Sequence, residues 1–434
     1  MKRPIVITLL VTALAFVCLG IGAVIFFAAN GGFPTNNPFD VRNISSVLEE
    51  SKTLKVDPEK PLTLKVADDA GDVTITGADV ETVQVRVVKT AYDSSQSRAD
   101  QEVKGIKYTI EQAGSTITLK YELPKSMNFN NNVNTVDFAV TVPNETTVDV
   151  DTSFGEVNVS GTNGNVNIVT SFGDVTIQNI EGSVTAHTNS GRVDASSINA
   201  GSANIDLSSD FGKVSLEKAS GKDIQLDSNS GVLEMTNVRA SGDVKMSTDF
   251  GDALFNSGSA DSLNVKTNSG KVTLNTLNLS GVLIANSDFG EIDLEQVKAT
   301  SYDLQTNSGS ITADGVLGKV KAHSGFGSVT VKNADSVTLD LSTQSGPVNF
   351  EGSLGEGPHT VHSDFGEINL TLPADSALDV DLKTDFGKIK SEIPITVVLS
   401  GDVEESQQVG TMNDGGDQLT VETNSGGISI QASK

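Results

Sequence analysis

At 434 residues the chain has room for two or three ordinary domains or for one long repetitive one. With 41 Gly, no Trp and abundant Ser, Thr, Asn, Asp and Val, it is not a mainly helical protein and reads as a turn-rich β fold. A net charge of −26 with no clusters of Lys and Arg excludes binding to a phosphate backbone, so no nucleic-acid partner is expected.

Residues 5–29 carry no charge and follow Lys2 and Arg3. A helix of that length spans a bilayer core of about 30 Å. The segment predicts a single-pass transmembrane anchor (residues 1–30) in the plasma membrane, followed by a linker (31–53). A cleaved signal peptide is the competing reading, but its apolar region usually runs only about 7–15 residues. Basic residues stay on the cytoplasmic side, which would leave the rest of the chain extracellular or periplasmic. The single cysteine, Cys18, lies in this run, so no disulfide framework is expected. Val17, where a small residue would be needed, argues against lipid attachment.

Residues 54–145 hold long alternating strands, "ETVQVRVVKT" and "STITLKYEL", and one short polar stretch of helical character, "SSQSRADQEV". They suit an N-terminal β cap, because a stack of coils leaves unpaired strand edges that must be covered.

From 146 to 392 one phrase recurs, as in "TSFGEV", "SDFGEI" and "TNSGKV". Its glycines are Gly155, Gly173, Gly191, Gly212, Gly231, Gly251, Gly270, Gly290, Gly309, Gly327, Gly346, Gly366 and Gly387, in steps of 18 to 21 residues, with a fourteenth copy at Gly426. A fixed period near 20 predicts an all-β, parallel β-solenoid (β-helix) of about 19–20 residues per coil. Apolar residues recur seven and five positions before the glycine and two and four after it, as in Val166, Ile168, Val175 and Ile177, and these are the expected core. Three before it stands Thr or Ser in every copy, for example Thr152, Thr267 and Thr384. Inward positions are thus odd before the glycine and even after it. Because strand side chains alternate with period two, the glycine is expected to be a corner that reverses the parity through positive φ.

The position just before the glycine alternates Phe and Ser: Phe172, Ser190, Phe211, Ser230, Phe250, Ser269, Phe289, Ser308, Phe326, Ser345, Phe365. Parity predicts that it faces inward, with large and small residues interdigitating along the axis. A coil of about 39 residues with Phe and Ser on opposite sides is the alternative geometry, and an exposed aromatic platform for sugars is the alternative role. The residue before the Phe is often Asp (Asp210, Asp249, Asp288) and the one before the Ser often Asn (Asn229, Asn268, Asn307), which keeps carboxylates apart. Residues 393–434 depart from the repeat and suit a C-terminal β cap.

The opening "LTLKVADDAGDVTITG", the "TNSGKVTL" phrases, and "NLTLPADSALDVDLKTDFGKI" with "LTVETNSGGISI" at the end resemble a bacterial putative-adhesin family of β-strand-repeat proteins, a domain of unknown function, over roughly residues 54–432. The resemblance implies a surface-exposed β-solenoid and carries no catalytic residues.

Motifs for chemistry are weak. Asp249 with Asp252 and Asp288 with Glu291 could meet a Ca²⁺, but the chain lacks the glycine-aspartate nonapeptide of calcium-binding β-rolls. His359 and His362, three apart on a strand, should face opposite ways, which does not suit zinc. No serine nucleophile with a base and no phosphate-cradling loop is present. No cofactor or metal is expected, and the chain is expected not to be an enzyme. It reads as a membrane-anchored module for adhesion, scaffolding or sensing, with a cell-envelope glycan or surface protein as partner. The alternative is a carbohydrate-active enzyme, a lyase or hydrolase, on a parallel β-helix.

Overall fold

The computed structural model describes residues 44–124, 132–397 and 406–433. The predicted transmembrane helix at residues 5–29 lies outside the described residues. No helix among the latter is long and apolar enough to cross a membrane.

The described chain is a parallel β-solenoid. Each coil contributes two strands, such as Val166–Phe172 and Val175–Glu181, and each strand pairs in parallel with its counterparts one coil away. The register advances by one repeat: Val166 pairs with Val148 on one side and Val184 on the other. That excludes the 39-residue coil. The core is the predicted set, with Val166, Ile168, Val175 and Ile177 and their equivalents buried along the axis. Neighbouring coils bury one another's aliphatic side chains and close the ladder bonds, which is why no coil is a folding unit alone.

The corner differs from the parity expectation. Thr267 is buried, Asn268 is half-buried and Ser269 exposed, and Gly270 is buried again; in nearby coils Asn229 with Ser230 and Asp288 with Phe289 are both exposed. The reversal therefore takes place over the two residues before the glycine, and the glycine itself faces inward. Within the glycine column, which begins with Gly71 stacked against Gly155, positive φ occurs only at these two, at +151° and +139°. Elsewhere in the column the constraint is close approach. A Cβ on Gly270 would stand 1.7 Å from the Gly251 carbonyl oxygen, and one on Gly290 would stand 1.7 Å from that of Gly270.

The buried Thr or Ser three residues earlier completes this corner. Thr267 Oγ1 donates to the Gly251 oxygen at 3.0 Å and accepts from the Gly270 N–H at 2.9 Å. Thr248, Ser287, Thr306 and Ser363 make the same pair of bonds. One hydroxyl thus satisfies two backbone groups that the bend has taken out of the ladder. Thr267→Val keeps the shape and removes the hydroxyl, leaving both groups buried without a partner. It should cost about 1–3 kcal/mol, read as a lower urea midpoint at unchanged slope.

A second corner escaped the sequence reading. Six residues after the glycine stands a non-glycine residue in the left-handed region: Asn179, Ser197, Lys218, Asn237, Ser257, Thr276, Gln296 and Asn333, with φ between 49° and 59°. The residue after it turns inward again, as Ile180, Ile198, Val238, Leu277 and Val297 are buried.

Both ends leave the repeat. Ile44–Lys55, which includes residues assigned above to a linker, pairs antiparallel with Thr82–Asp93, and that strand pairs antiparallel with Thr135–Pro143. The predicted short helix spans Gln96–Gly105 and buries Ala99 and Val103. At the other end the order of stacking departs from the order of sequence. His359–Ser363 pairs with Asp417–Thr423, which in turn pairs with Leu378–Thr384. The glycine column accordingly runs Gly366, Gly426, Gly387, each Cβ position meeting the carbonyl of the glycine before it. Leu378–Thr384 is covered in part by antiparallel Gln407–Met412.

Candidate functional site

The Phe column is the main correction to the sequence reading. Phe172 pairs in register with Phe154 and Ser190, so Phe and Ser do occupy one column, but it faces solvent. Phe211, Phe250, Phe289, Phe326 and Phe365 are 66–69% exposed, and Phe386 is 85% exposed. Phe154 and Phe172, on adjacent coils, shield each other: their rings stack at 5.2 Å between centroids with 6° between planes. The physical reason is the two-residue bend. Counting odd positions inward to within one residue of the glycine overran the point where the chain had already turned, so the slot before the glycine points out.

The C-terminal reordering prolongs the alternation. With Gly426 stacked between Gly366 and Gly387, the column ends Phe365, Ser425, Phe386, so Phe and Ser alternate without a break from Phe172 to Phe386. The sequence order, which puts Phe386 directly after Phe365, conceals this.

Beside the Phe column runs the Asp and Asn column. Asn268 Nδ2 donates to Asp249 Oδ1 at 3.0 Å and Asn307 Nδ2 to Asp288 Oδ1 at 3.1 Å; Asn229 to Asp210 and Asn424 to Asp364 are both 3.3 Å. The amides do more than separate the charges, since each bonds the carboxylate one coil below it. On the far side of the column the residues after the glycine carry mixed charge. Lys271 there holds Glu291 at 3.2 Å and Asp293 at 2.5 Å, and these carboxylates raise its pKa.

Other chemistry is sparse among the described residues. No group of three or more His, Cys, Asp or Glu is placed to hold a metal. Asp252 accepts from the Lys271 N–H at 2.8 Å, so the suggested calcium pair is part of the ladder. His359 is buried, and burial lowers its pKa; His362 faces out and lies 3.0 Å from Asp364, so the two histidines do point to opposite faces. Asp206 is raised by burial and by Asp227. A cleft of about 520 Å³ sits at the N-terminal end of the Phe column, between Phe154, Tyr92, Thr135 and Asp137.

No curated protein sequence matches the chain. Among solved structures it is similar to a putative cell adhesion protein from Clostridium sporogenes ATCC 15579, with 10% identity over 89% of this chain and 100% of that one and a TM-score of 0.18. It is also similar to a putative adhesin from Bacteroides fragilis NCTC 9343, with 14% identity over 70% of this chain and 97% of that one and a TM-score of 0.29. The family model described as Toastrack DUF4097 matches twice, over residues 62–257 and 254–431, which takes in the N-terminal cap beyond its first strand, every glycine of the column and the C-terminal reordering. The chain therefore belongs to the DUF4097 Toastrack family.

Proposed function

We propose that the protein is a non-enzymatic rod held in the plasma membrane by residues 5–29, with its solenoid outside the cell, where it works in adhesion. The observation that carries this reading is the exposed Phe edge from Phe172 to Phe386, flanked by Asp or Asn except at Ser171, Gly325 and Gln344. A catalytic site breaks a repeat to bring unlike groups to one point, whereas this edge presents the same small set of groups many times. Repetition of that kind suits summed weak contacts with an extended or multivalent partner. A rigid parallel stack holds such contacts at a fixed spacing away from the bilayer. The carbohydrate-active alternative needs converging acids in a deep groove, and the acids here follow the ladder.

Two measurements test the reading. In fractionated cells the chain should pellet with membranes, and protease added outside intact cells should remove the solenoid. Purified full-length chain should bind whole cells that display the same protein, lose that binding when Phe250, Phe289 and Phe326 become Ser, and release no sugar from cell-wall material. Sugar release would overturn the non-enzymatic assignment, and recovery in the soluble cytoplasmic fraction would overturn the location.

A further inference from the structure

We propose that the Phe edge is the docking surface for a second copy of this chain, and that two rods pair antiparallel with their Phe rings interdigitated. The proposal deepens the adhesive reading by naming a partner and rests on that reading only for the claim that pairing takes place between facing surfaces.

Coils lie about 4.8 Å apart, so successive rings from Phe211 onward stand about 9–10 Å apart with a Ser between them. Phe154 and Phe172 show what the same corner does when adjacent coils both carry Phe: the rings stack at 5.2 Å, nearly parallel. Each Ser thus leaves a gap one ring thick between two teeth of a comb. A flat ring with the same spacing fills it, and another copy of the comb supplies a series of them. Offset aromatic stacking then continues along the whole column.

The charges select the same arrangement. A twofold axis across the rods and along the strands keeps each flank of the Phe column over the same flank of its partner, while reversing direction. If the axis passes between Phe289 and Ser308, Phe289 of one copy enters the gap over Ser308 of the other. Phe250 then enters the gap over Ser345 and Phe211 that over Ser425, and the converse insertions follow from symmetry. On the acidic flank Asp288 meets Asn307, Asp249 meets Gln344, and Asp210 meets Asn424. No carboxylate in that column meets another. A shift by one coil would set ring on ring and Asp on Asp, so the two alternations, which run in phase, exclude the same registers. On the opposite flank Arg192 and Lys388, at the two ends, form the single like-charged meeting.

The contact is narrow, at the low end of interface sizes. It therefore suits rods that meet in numbers, and antiparallel pairing is the geometry of rods rising from two opposed surfaces.

The test uses the full chain, in lipid nanodiscs if it inserts and in plain buffer if it does not, so that pairing and membrane attachment are read separately. Sedimentation should show a monomer–dimer equilibrium. Phe250→Ser with Phe289→Ser and Phe326→Ser should weaken it by about tenfold or more. Ser269→Phe with Ser308→Phe fills the gaps and should also abolish it, although the surface becomes more apolar. Asn307→Asp should weaken pairing, and adding Asp288→Asn should restore it, a rescue that depends on no loss of aromatic surface. In a Cys18→Ser background, Asp210→Cys combined with Asn424→Cys should give a disulfide between chains; within one rod the two positions lie nine coils apart, about 43 Å. A wild-type chain that stays monomeric at all concentrations, gap-filled variants that associate more strongly, or a monomer that binds immobilised cell-wall glycan through the Phe would each overturn the proposal.

Discussion

Gly270→Ala is expected to destabilise the solenoid by about 3–5 kcal/mol. The new methyl would lie 1.7 Å from the Gly251 oxygen, 2.4 Å from its carbon and 2.9 Å from the Asp252 nitrogen. All three are backbone atoms, so no side chain can rotate away and two coils must part. Parting them stretches the ladder on either side of the corner, where Ala253 donates to Lys271 O and Val272 to Glu291 O, both at 2.9 Å. It also pulls Thr267 from the two groups it satisfies. Because stability in a stack is a sum of nearest-neighbour terms, the damage should localise. Limited proteolysis should cut near residue 270 and leave two resistant halves, while the urea midpoint falls. Gly105→Ala is the control: nothing lies within 4 Å of its Cβ position, at the end of the Gln96–Gly105 helix, and stability should hold or rise slightly. Equal losses at 105 and 270 would mean that the column glycines serve chain flexibility and not close approach.

Much of this architecture could be read from residues alone because its determinants are local and repeated. Val166, Ile168, Val175 and Ile177 alternate with polar residues, and that alternation is the core. Thr267 and its equivalents could be assigned inward by the same count, although not the double bond to glycine backbone that Thr248, Thr267, Ser287, Thr306 and Ser363 make. The errors lie where backbone geometry breaks the count. Asn268 and Ser269 face out together, and nothing in two consecutive small polar residues says so. The left-handed corner six residues after eight of these glycines holds Asn, Ser, Lys, Thr or Gln, so composition gives little warning there; the buried apolar residue one further on was the available signal. The stacking of Gly426 ahead of Gly387 depends on strands distant in sequence, which a linear reading cannot order.

That one-residue error at the corner carried the functional consequence. With Phe289 placed inside, the alternation of Phe and Ser looked like core packing and the edge vanished as a site. With Phe289 68% exposed, the same alternation costs the monomer solvation of apolar surface and has no packing benefit to offset it. The Asp and Asn alternation gains meaning in the same step, since its phase matches that of the rings.

Asp68→Thr is expected to stabilise the protein at pH 8 and to flatten its dependence on pH. Asp68 occupies, three residues before Gly71, the slot that Thr or Ser fills in the later coils, and it pairs in register with Thr152. It is buried; Oδ1 accepts from the Ala70 N–H at 3.0 Å, and Oδ2 has no partner among the described residues. Burial, joined by the charges of Asp137, Asp69 and Asp72 and opposed by the Ala70 bond, pushes its pKa from 3.8 up to about 8. The folded form therefore holds a proton that the unfolded chain releases above its ordinary pKa. Stability attached to that proton is fully present below about pH 4 and is lost as pH rises to about 8, at no more than about 1.4 kcal/mol per unit. Threonine carries no charge and removes the dependence, so the variant should gain about 2–4 kcal/mol over the wild type at pH 8 and little at pH 4. Urea unfolding of both chains at pH 4, 6 and 8 reads the difference directly, and the other carboxylates cancel in the subtraction. A constant difference across that range would show that Asp68 is ionised in the folded protein and that its carboxylate has found a partner at the cap.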